Sequence, residues 1–532
     1  MNFTSTTKGI QFDRLGIMFL GDIEVFRTST EEPTAAGVTW TYIKEMQQFD
    51  ALWKTNQKII FDMPNIVQEP YTGRLSTTLT ATFFTTPYIP PTADVILPIS
   101  AEKSGDDASS AWLVSDQPVS ISHQFPHNVE RAVVSLSANG QQAEEFWYTN
   151  VLSSDTMTFW ATGALDGYSP FREIQLIIDG RLSGVSWPFP VIFTGGIVPG
   201  FWRPIVGIDA FDLRQHEIDI TPWLPSLCDG APHTFEIRVA GLNDDGQGHA
   251  TLSDTVNSYW LITGTIFLFL GPQGSKTTGI GLNVDTPAPE IKITSSITPD
   301  VSGANHTLAY TVHTTRSITV NSQVQTSRGT ASASWSQNLS FTNENVLTSY
   351  GYTQHTIQKT TGADTSSSGY IQRYIYPLVM NNTFSTLPVH KFHISGSLIQ
   401  GLSLSTFGPS IFPNGLQYSP NSRIPITAGT LISTTLNGTA EIQSGSYTCG
   451  STEQNFDFSA QWDESGTRSS QEIYHRHVRA DNTTISFDEE SYYGIEAKKH
   501  GRFLLGDAGT QLLDDGTSAV GSVRGLLGRG PA

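Results

Sequence analysis

Two short stretches hold the residue types that acid–base chemistry needs. In Glu144-Glu145-Phe146-Trp147-Tyr148-Thr149-Asn150, carboxylates stand directly beside a run of aromatics. Read as the end of a strand, this segment alternates its side chains. Glu145 and Trp147 then share one face, while Glu144, Phe146 and Tyr148 share the other. A carboxylate and an indole on one face make a surface suited to sugar. The second stretch, Gly21 to Thr30, places Asp22, Glu24 and Phe26 on one strand face with Arg27 at the following turn. Two carboxylates two residues apart repel, so one of them is expected to hold its proton above the usual range unless Arg27 or solvent intervenes. The simpler readings are a solvated edge strand for the first stretch and a structural ion pair for the second.

Other constellations are missing. The chain has no Gly-x-Ser-x-Gly, no His-Glu-x-x-His, no Walker-type glycine loop and no cysteine-nucleophile signature. Cys228 and Cys449 are the only cysteines. They allow one long-range disulfide or two buried thiols, and they offer no metal-ligand spacing. No metal or cofactor is therefore expected. The reactions that run on carboxylates beside aromatics are chiefly glycoside and amide hydrolysis.

The elements that must position these groups are strands. A chain of 532 residues divides into two to four domains. Only 15% of residues are charged, aromatics reach 11%, and Ser, Thr, Gly and Pro abound, a balance that favours an all-β extracellular protein. The expected units are a first sandwich over residues 10–122, a second over 123–271, a β-rich C-terminal domain over 290–505 and a Gly-rich, extended tail over 506–532. Strands are expected at 16–28, 40–47, 57–62, 75–85, 94–99 and 111–121, then at 131–137, 146–152, 173–178, 189–194, 217–220, 234–239 and 259–270. The Gly/Pro/aromatic-rich run Phe189–Trp202 is expected to shape a cleft or to lie as a lid over the core.

With 30 basic against 49 acidic side chains the net charge is -19, which argues against nucleic acid or an anionic membrane as partner. No apolar run is long enough to span a bilayer. No basic n-region or apolar h-region follows Met1, so no signal peptide is expected within this chain. Six Asn-x-Ser/Thr sequons, beginning at Asn2, Asn305, Asn338, Asn381, Asn437 and Asn482, lend some weight to secretion or an acidic vacuolar or lysosomal-type compartment.

Several uncommon strings, in one order, carry a resemblance. Arg27-Thr28-Ser29-Thr30-Glu31-Glu32-Pro33-Thr34, Phe146-Trp147-Tyr148-Thr149-Asn150, Pro170-Phe171-Arg172-Glu173, the run from Pro188 to Ile197, Trp202-Arg203-Pro204 and Asp219-Ile220-Thr221-Pro222-Trp223-Leu224 together resemble the peptide:N-glycosidase A family over roughly residues 15–271. The resemblance implies an amidase that releases intact N-glycans, core-fucosylated ones included, from glycoproteins or glycopeptides at acidic pH, converting Asn to Asp. A fainter likeness to the bacterial peptide:N-glycosidase F implies two side-by-side jelly rolls. Glu145-Phe146-Trp147-Tyr148 and Glu24-Val25-Phe26-Arg27-Thr28 are similar to its active-site strings, and Asp244 and Asp245 are the nearest candidates for its remaining carboxylate.

On this reading Glu145 is the base or positions the water, with Glu144 as its rival. Glu24 orients the linkage or protonates the leaving nitrogen, and Arg27 stabilises the oxyanion. Trp147 and Trp202 stack on the sugar core, and Asp22, Glu144 and Tyr148 complete the substrate-binding set. The fold expected is all-β: two side-by-side jelly-roll sandwiches plus a β-rich C-terminal domain. A glycoside hydrolase using Glu24 and Glu145, which needs roughly 5–9.5 Å between carboxyls, is the nearest alternative. A non-catalytic glycan-binding protein is the other.

Overall fold

The computed structural model describes residues 1–496 other than 34–35, 70, 86–90, 116–117, 389–390, 417–427, 444–446, 463–469 and 494. The expected Gly-rich tail at 506–532 lies outside the described residues. All the large elements are strands, as the composition predicts, and they form an all-β chain.

Near the N-terminus, strands Asn2–Lys8, Val38–Ile43 and Arg74–Thr80 form one small sheet, and Leu15–Leu20, Ile23–Ser29 and Ile59–Asp62 form another. Phe3 joins them through ring contacts to Phe26 at 5.8 Å, Trp40 at 6.3 Å and Phe61 at 5.1 Å. The stretch expected as one strand over 16–28 is a hairpin that turns at Gly21-Asp22.

The next unit has two facing sheets. One contains Val95–Ile99, Trp112–Val114, Val129–Gln141, His216–Asp219 and Tyr259–Leu270; the other contains Val119–Gln124, Glu173–Ile178, Arg181–Ser186 and Pro232–Ala240. Hydrogen bonding thus crosses the expected boundary at 122. Val95–Ile99 and Trp112–Val114 pair with Tyr259–Leu270, and Val119–Gln124 pairs with Pro232–Ala240. Pattern marked these segments as strands, but pairing partners 108–173 residues away leave no local signal. Val133 and Phe267 share a core cluster with Phe26, Trp40 and Phe49, which docks the N-terminal unit on this sheet. Two further expected strands are irregular. Residues 146–152 hold a 3-10 turn at Trp147–Thr149 and irregular backbone after it, and 189–194 form a loop in which Pro190 supplies no backbone donor.

From Thr278 to Glu496 the chain forms a single 12-stranded antiparallel sheet. Its strand Asn305–Thr326 is 22 residues long, about 70 Å at the usual rise. Apolar residues of the inner face, such as Leu308, Val312, Val320 and Trp335, belong to the same core cluster as Ile174 and Trp187 of the central unit. Polar clamps fix the contact. Gln337 receives the Val185 N–H at 2.8 Å and donates to the Val185 carbonyl at 2.9 Å, Tyr310 donates to the Asn150 carbonyl at 2.7 Å, and Gln400 donates to the Pro190 carbonyl at 2.7 Å. Cys228 and Cys449 are both free thiols. No helix among the described residues is long and apolar enough to cross a membrane.

Candidate active site

Glu144 and Glu145 are separated by a turn rather than by strand alternation. The strand Val129–Gln141 ends at Gln141, and Gln142–Glu144 forms a 3-10 turn closed by the Glu145 N–H on the Gln142 carbonyl at 3.0 Å. Successive residues on such a turn lie about 120° apart, so the two carboxylates diverge. Gly140 makes the turn feasible, because a Cβ there would stand 2.2 Å from the Glu144 carbonyl oxygen.

Glu144 points inward. It is fully buried and takes a forked ion pair from Arg172, Nε to Oε2 at 2.5 Å and Nη2 to Oε1 at 2.7 Å. The Trp260 indole N–H at 2.8 Å and the Asn257 backbone N–H at 3.0 Å occupy its remaining positions. A carboxylate so saturated holds structure. Glu145 instead lines a cavity together with Trp147, Trp187, Trp260, Arg214 and His216. Burial first, and the charge of Asp13 second, push its carboxyl up to about 7.

Glu24 and Arg27 form a second saturated pair. A β-bulge leaves Val25 without a partner, since Glu24 pairs with Phe19 while Phe26 pairs with Met18. The bulge puts Glu24 and Arg27 on one face and turns Phe26 to the other, so the expected Asp22/Glu24/Phe26 face does not form. Arg27 donates to Glu24 from Nε at 2.9 Å and from Nη2 at 2.6 Å, and both residues are 1% exposed. Ser137 at 2.7 Å and Thr263 at 2.6 Å complete the carboxylate, while Arg27 Nη1 reaches Asn139 at 2.6 Å and the Leu261 carbonyl at 2.7 Å. The pair therefore ties the N-terminal hairpin to the central sheet, and through Asn139 it braces one wall of the Glu145 cavity. Asp22 lies at the hairpin turn and accepts from the Ser104 N–H and the Ser110 hydroxyl. Burial pushes its carboxyl up, but those bonds and Lys58 outweigh it and hold it below the usual range.

The carboxylate whose charge reaches Glu145 is Asp13, and Glu31 and Glu32 gather beside Asp13. The hairpin pairs Leu15 with Ser29, and the Thr30 N–H donates to the Arg14 carbonyl at 2.8 Å. Extending that register sets Asp13 opposite Glu31. The 189–202 run passes beside them: Thr194 Oγ1 accepts the Glu32 N–H at 3.0 Å and donates to the Thr30 carbonyl at 2.6 Å. Gly195 is required there, because a Cβ would stand 2.4 Å from Asp13 Oδ1. Burial raises Asp13, and the Gly195 N–H partly offsets it. Burial likewise lifts Glu31 to about 8 and Glu32 to about 7, each against the pull of Arg203 and with a push from Asp13. Arg203 pairs with Glu32 at 3.1 Å. Glu31 Oε2 and Arg203 Nε are buried without partners, the kind of orphan that marks a site awaiting a ligand.

The expected aromatics divide. Trp147 lines the cavity, with its ring 6.5 Å from that of Trp260. Tyr148 is fully buried, and its hydroxyl has no partner and lies within reach of Glu145's charge. Trp202 is fully buried and donates to the Gly196 carbonyl at 2.7 Å, so it pins the loop and offers no face to a sugar. Asp244 and Asp245 lie on a two-stranded hairpin, where Asp245 pairs with the exposed His249. Among the described residues, the grouping with metal-ligand spacing is Asp457, Glu472 and His475, on the C-terminal sheet and not beside Glu145.

Comparison with known proteins bears on the whole chain. The family model described as Peptide N-acetyl-beta-D-glucosaminyl asparaginase amidase A matches residues 1–287, and one described as PNGase_A C-terminal domain matches residues 309–378. The likeness therefore continues beyond residue 271 into the C-terminal sheet. The chain is 29% identical over 400 residues to peptide-N4-(N-acetyl-beta-glucosaminyl)asparagine amidase A of Prunus dulcis, covering 72% of this chain and 66%, just under two-thirds, of that protein. A solved structure of infectious bursal disease virus Gx strain aligns over 51% of this chain and 57% of that one at 10% identity, with a TM-score of 0.14, a likeness too slight to describe the fold. Since the first family model spans more than half of its length, the chain belongs to the peptide N-acetyl-β-D-glucosaminyl asparaginase amidase A family.

Proposed function

We propose that the protein hydrolyses the amide joining N-acetylglucosamine to asparagine in N-glycoproteins or N-glycopeptides, releasing the intact glycan and leaving aspartate. The observation that carries this is a run of buried carboxyls, all raised by burial, in which the charge of Asp13 acts on Glu145 and also on Glu31 and Glu32, the two that feel Arg203. So many buried carboxyls cannot all ionise together. At mildly acidic pH Glu145 carries a proton, and the Gly195 N–H partly offsets the burial that raises Asp13.

Amide hydrolysis needs both states. A base takes a proton from water as its oxygen bonds to the side-chain carbonyl carbon, and an acid protonates the nitrogen as the C–N bond breaks. Asp13 serves as the base and Glu145 as the acid. Arg203, whose Nε lacks a partner, supplies positive charge for the developing oxyanion. This allocation gives Glu145 the acid role expected of Glu24, passes the base role expected of Glu145 to Asp13, and moves the oxyanion role from Arg27 to Arg203. It predicts action at acidic pH, as would suit secretion or an acidic compartment. Acceptance of core-fucosylated glycans follows the family resemblance.

The test is incubation with an N-glycopeptide at about pH 5 and at about pH 8, with mass spectrometry of both products. A peptide heavier by about one dalton than the Asn form, produced at the lower pH and lost above about 7 as Glu145 ionises, is expected. Cleavage between sugars with Asn retained would instead indicate a glycoside hydrolase. Glycan binding without any product would indicate a binding protein.

A further inference from the structure

The cavity beside Glu145 is walled by aromatics, among them Trp147, Trp187, Trp260 and Tyr376, and Arg214 and His216 also line it. Arg214 and His216 alternate along the segment leading into the edge strand His216–Asp219, so both face the same side. Each is held from behind by a buried carboxylate. Arg214 Nη2 lies 2.7 Å from Asp209, and His216 Nε2 lies 3.3 Å from Asp364 of the C-terminal sheet. The Arg214 side chain is 9% exposed, yet its Nε–H has no partner. A buried, charge-compensated donor left unpaired in a pocket wall needs an acceptor oxygen from a ligand.

Size narrows the choice. The cavity measures about 60 Å³, and at about 10–15 Å³ for each water-sized position it holds about four to six such positions. An acetamido group has four non-hydrogen atoms: a nitrogen, a carbonyl carbon and oxygen, and a methyl. In the linkage sugar this group sits on C2, next to the C1 that bears the cleaved nitrogen, so whatever lines its pocket also borders the reacting bond. Glu145 lines the pocket.

We propose that this cavity receives the 2-acetamido group of the linkage sugar, with the Arg214 Nε–H donating to its carbonyl oxygen and the aromatic walls enclosing its methyl. The proposal rests on the amidase reading above. It makes Arg214 a specificity residue, and it gives the C-terminal sheet, through Tyr376 and Asp364, a part in substrate recognition.

The experiment compares two glycopeptides that differ only in carrying N-acetylglucosamine or glucose at the linkage. The wild type should favour the acetylated substrate by about 10²-fold or more in kcat/KM, as a hydrogen-bonding pocket discriminates. Arg214→Met should reduce that ratio to about 10. Because this substitution strips Asp209 of its partner, the Asp209→Asn/Arg214→Met double variant should reduce the ratio in the same way. Equal rates on both substrates by the wild type would overturn the pocket while leaving the amidase reading intact. Hydrolysis of neither would overturn that reading. Binding then tests the pocket separately: free N-acetylglucosamine, but not glucose, should shift the intrinsic tryptophan fluorescence, and a shift by both sugars or by neither would reject it.

Discussion

Removing the charge from Glu24 and from Glu145 should injure the protein in different ways. Glu24→Gln leaves the Arg27 guanidinium buried without its counter-charge, a loss of about 3–5 kcal/mol by analogy with other broken buried pairs. Urea denaturation should show it as a lower midpoint. Glu145→Gln replaces a carboxyl already raised to about 7, so its midpoint should hold or rise while kcat falls by about 10²–10⁴-fold. Wild-type turnover by a folded Glu145→Gln protein would move the acid role to a neighbour, with Glu31 tested next. From sequence Glu24, Glu144 and Glu145 look alike, because saturation of the first rests on Ser137 and Thr263 and of the second on Arg172 and Trp260, none of them local.

At the level of elements, Gly195 tests whether the 189–202 loop and the N-terminal hairpin form one site. Gly195→Ala forces a methyl against Asp13. The protein should fold, because the loop remains pinned by Trp202 and Thr194, but kcat should drop by about tenfold or more if Asp13 is the base. Unchanged kcat with a normal far-ultraviolet spectrum would remove Asp13 from the chemistry. The hairpin itself was within reach of sequence reasoning. Gly21-Asp22 marks the turn, and pairing outward from it sets Asp13 opposite Thr30, one residue short of Glu31, whereas reading 16–28 as one strand hides even that approach. The bulge at Val25 was not legible, since neither residue type nor alternation announces an extra residue. Alternation did place Trp147 and Glu145 on a common surface, although a 3-10 turn is what achieves it.

For the whole molecule, the raised carboxyls set a pH dependence of stability. Glu31, Glu32 and Glu145 bind protons more tightly folded than unfolded, so their contribution is complete below about 4.5 and is lost as pH rises through about 7 to 8. Tm should therefore fall between pH 5 and pH 8, and Glu31→Gln should flatten the fall. A wild-type Tm that rises over this range would contradict the assignment. Composition and turn spacing were enough to read an all-β chain, because they report each strand's own preference. They could not show that pairing crosses the expected boundary at 122 or that one large sheet forms after residue 278, which depend on which strands pair.

The ties between distant strands also set a timetable. Glu24 and Thr263 are 239 residues apart, so at the usual synthesis rate of about 5–20 residues per second a nascent hairpin waits roughly 12–48 s for that hydroxyl to be made. Throughout this interval its docking surface, later covered by Val133 and Phe267, has no complete partner sheet. The N-terminal unit is thus made first yet locked late, and a ribosome stalled before residue 263 would hold a chain whose Glu24 still lacks that partner.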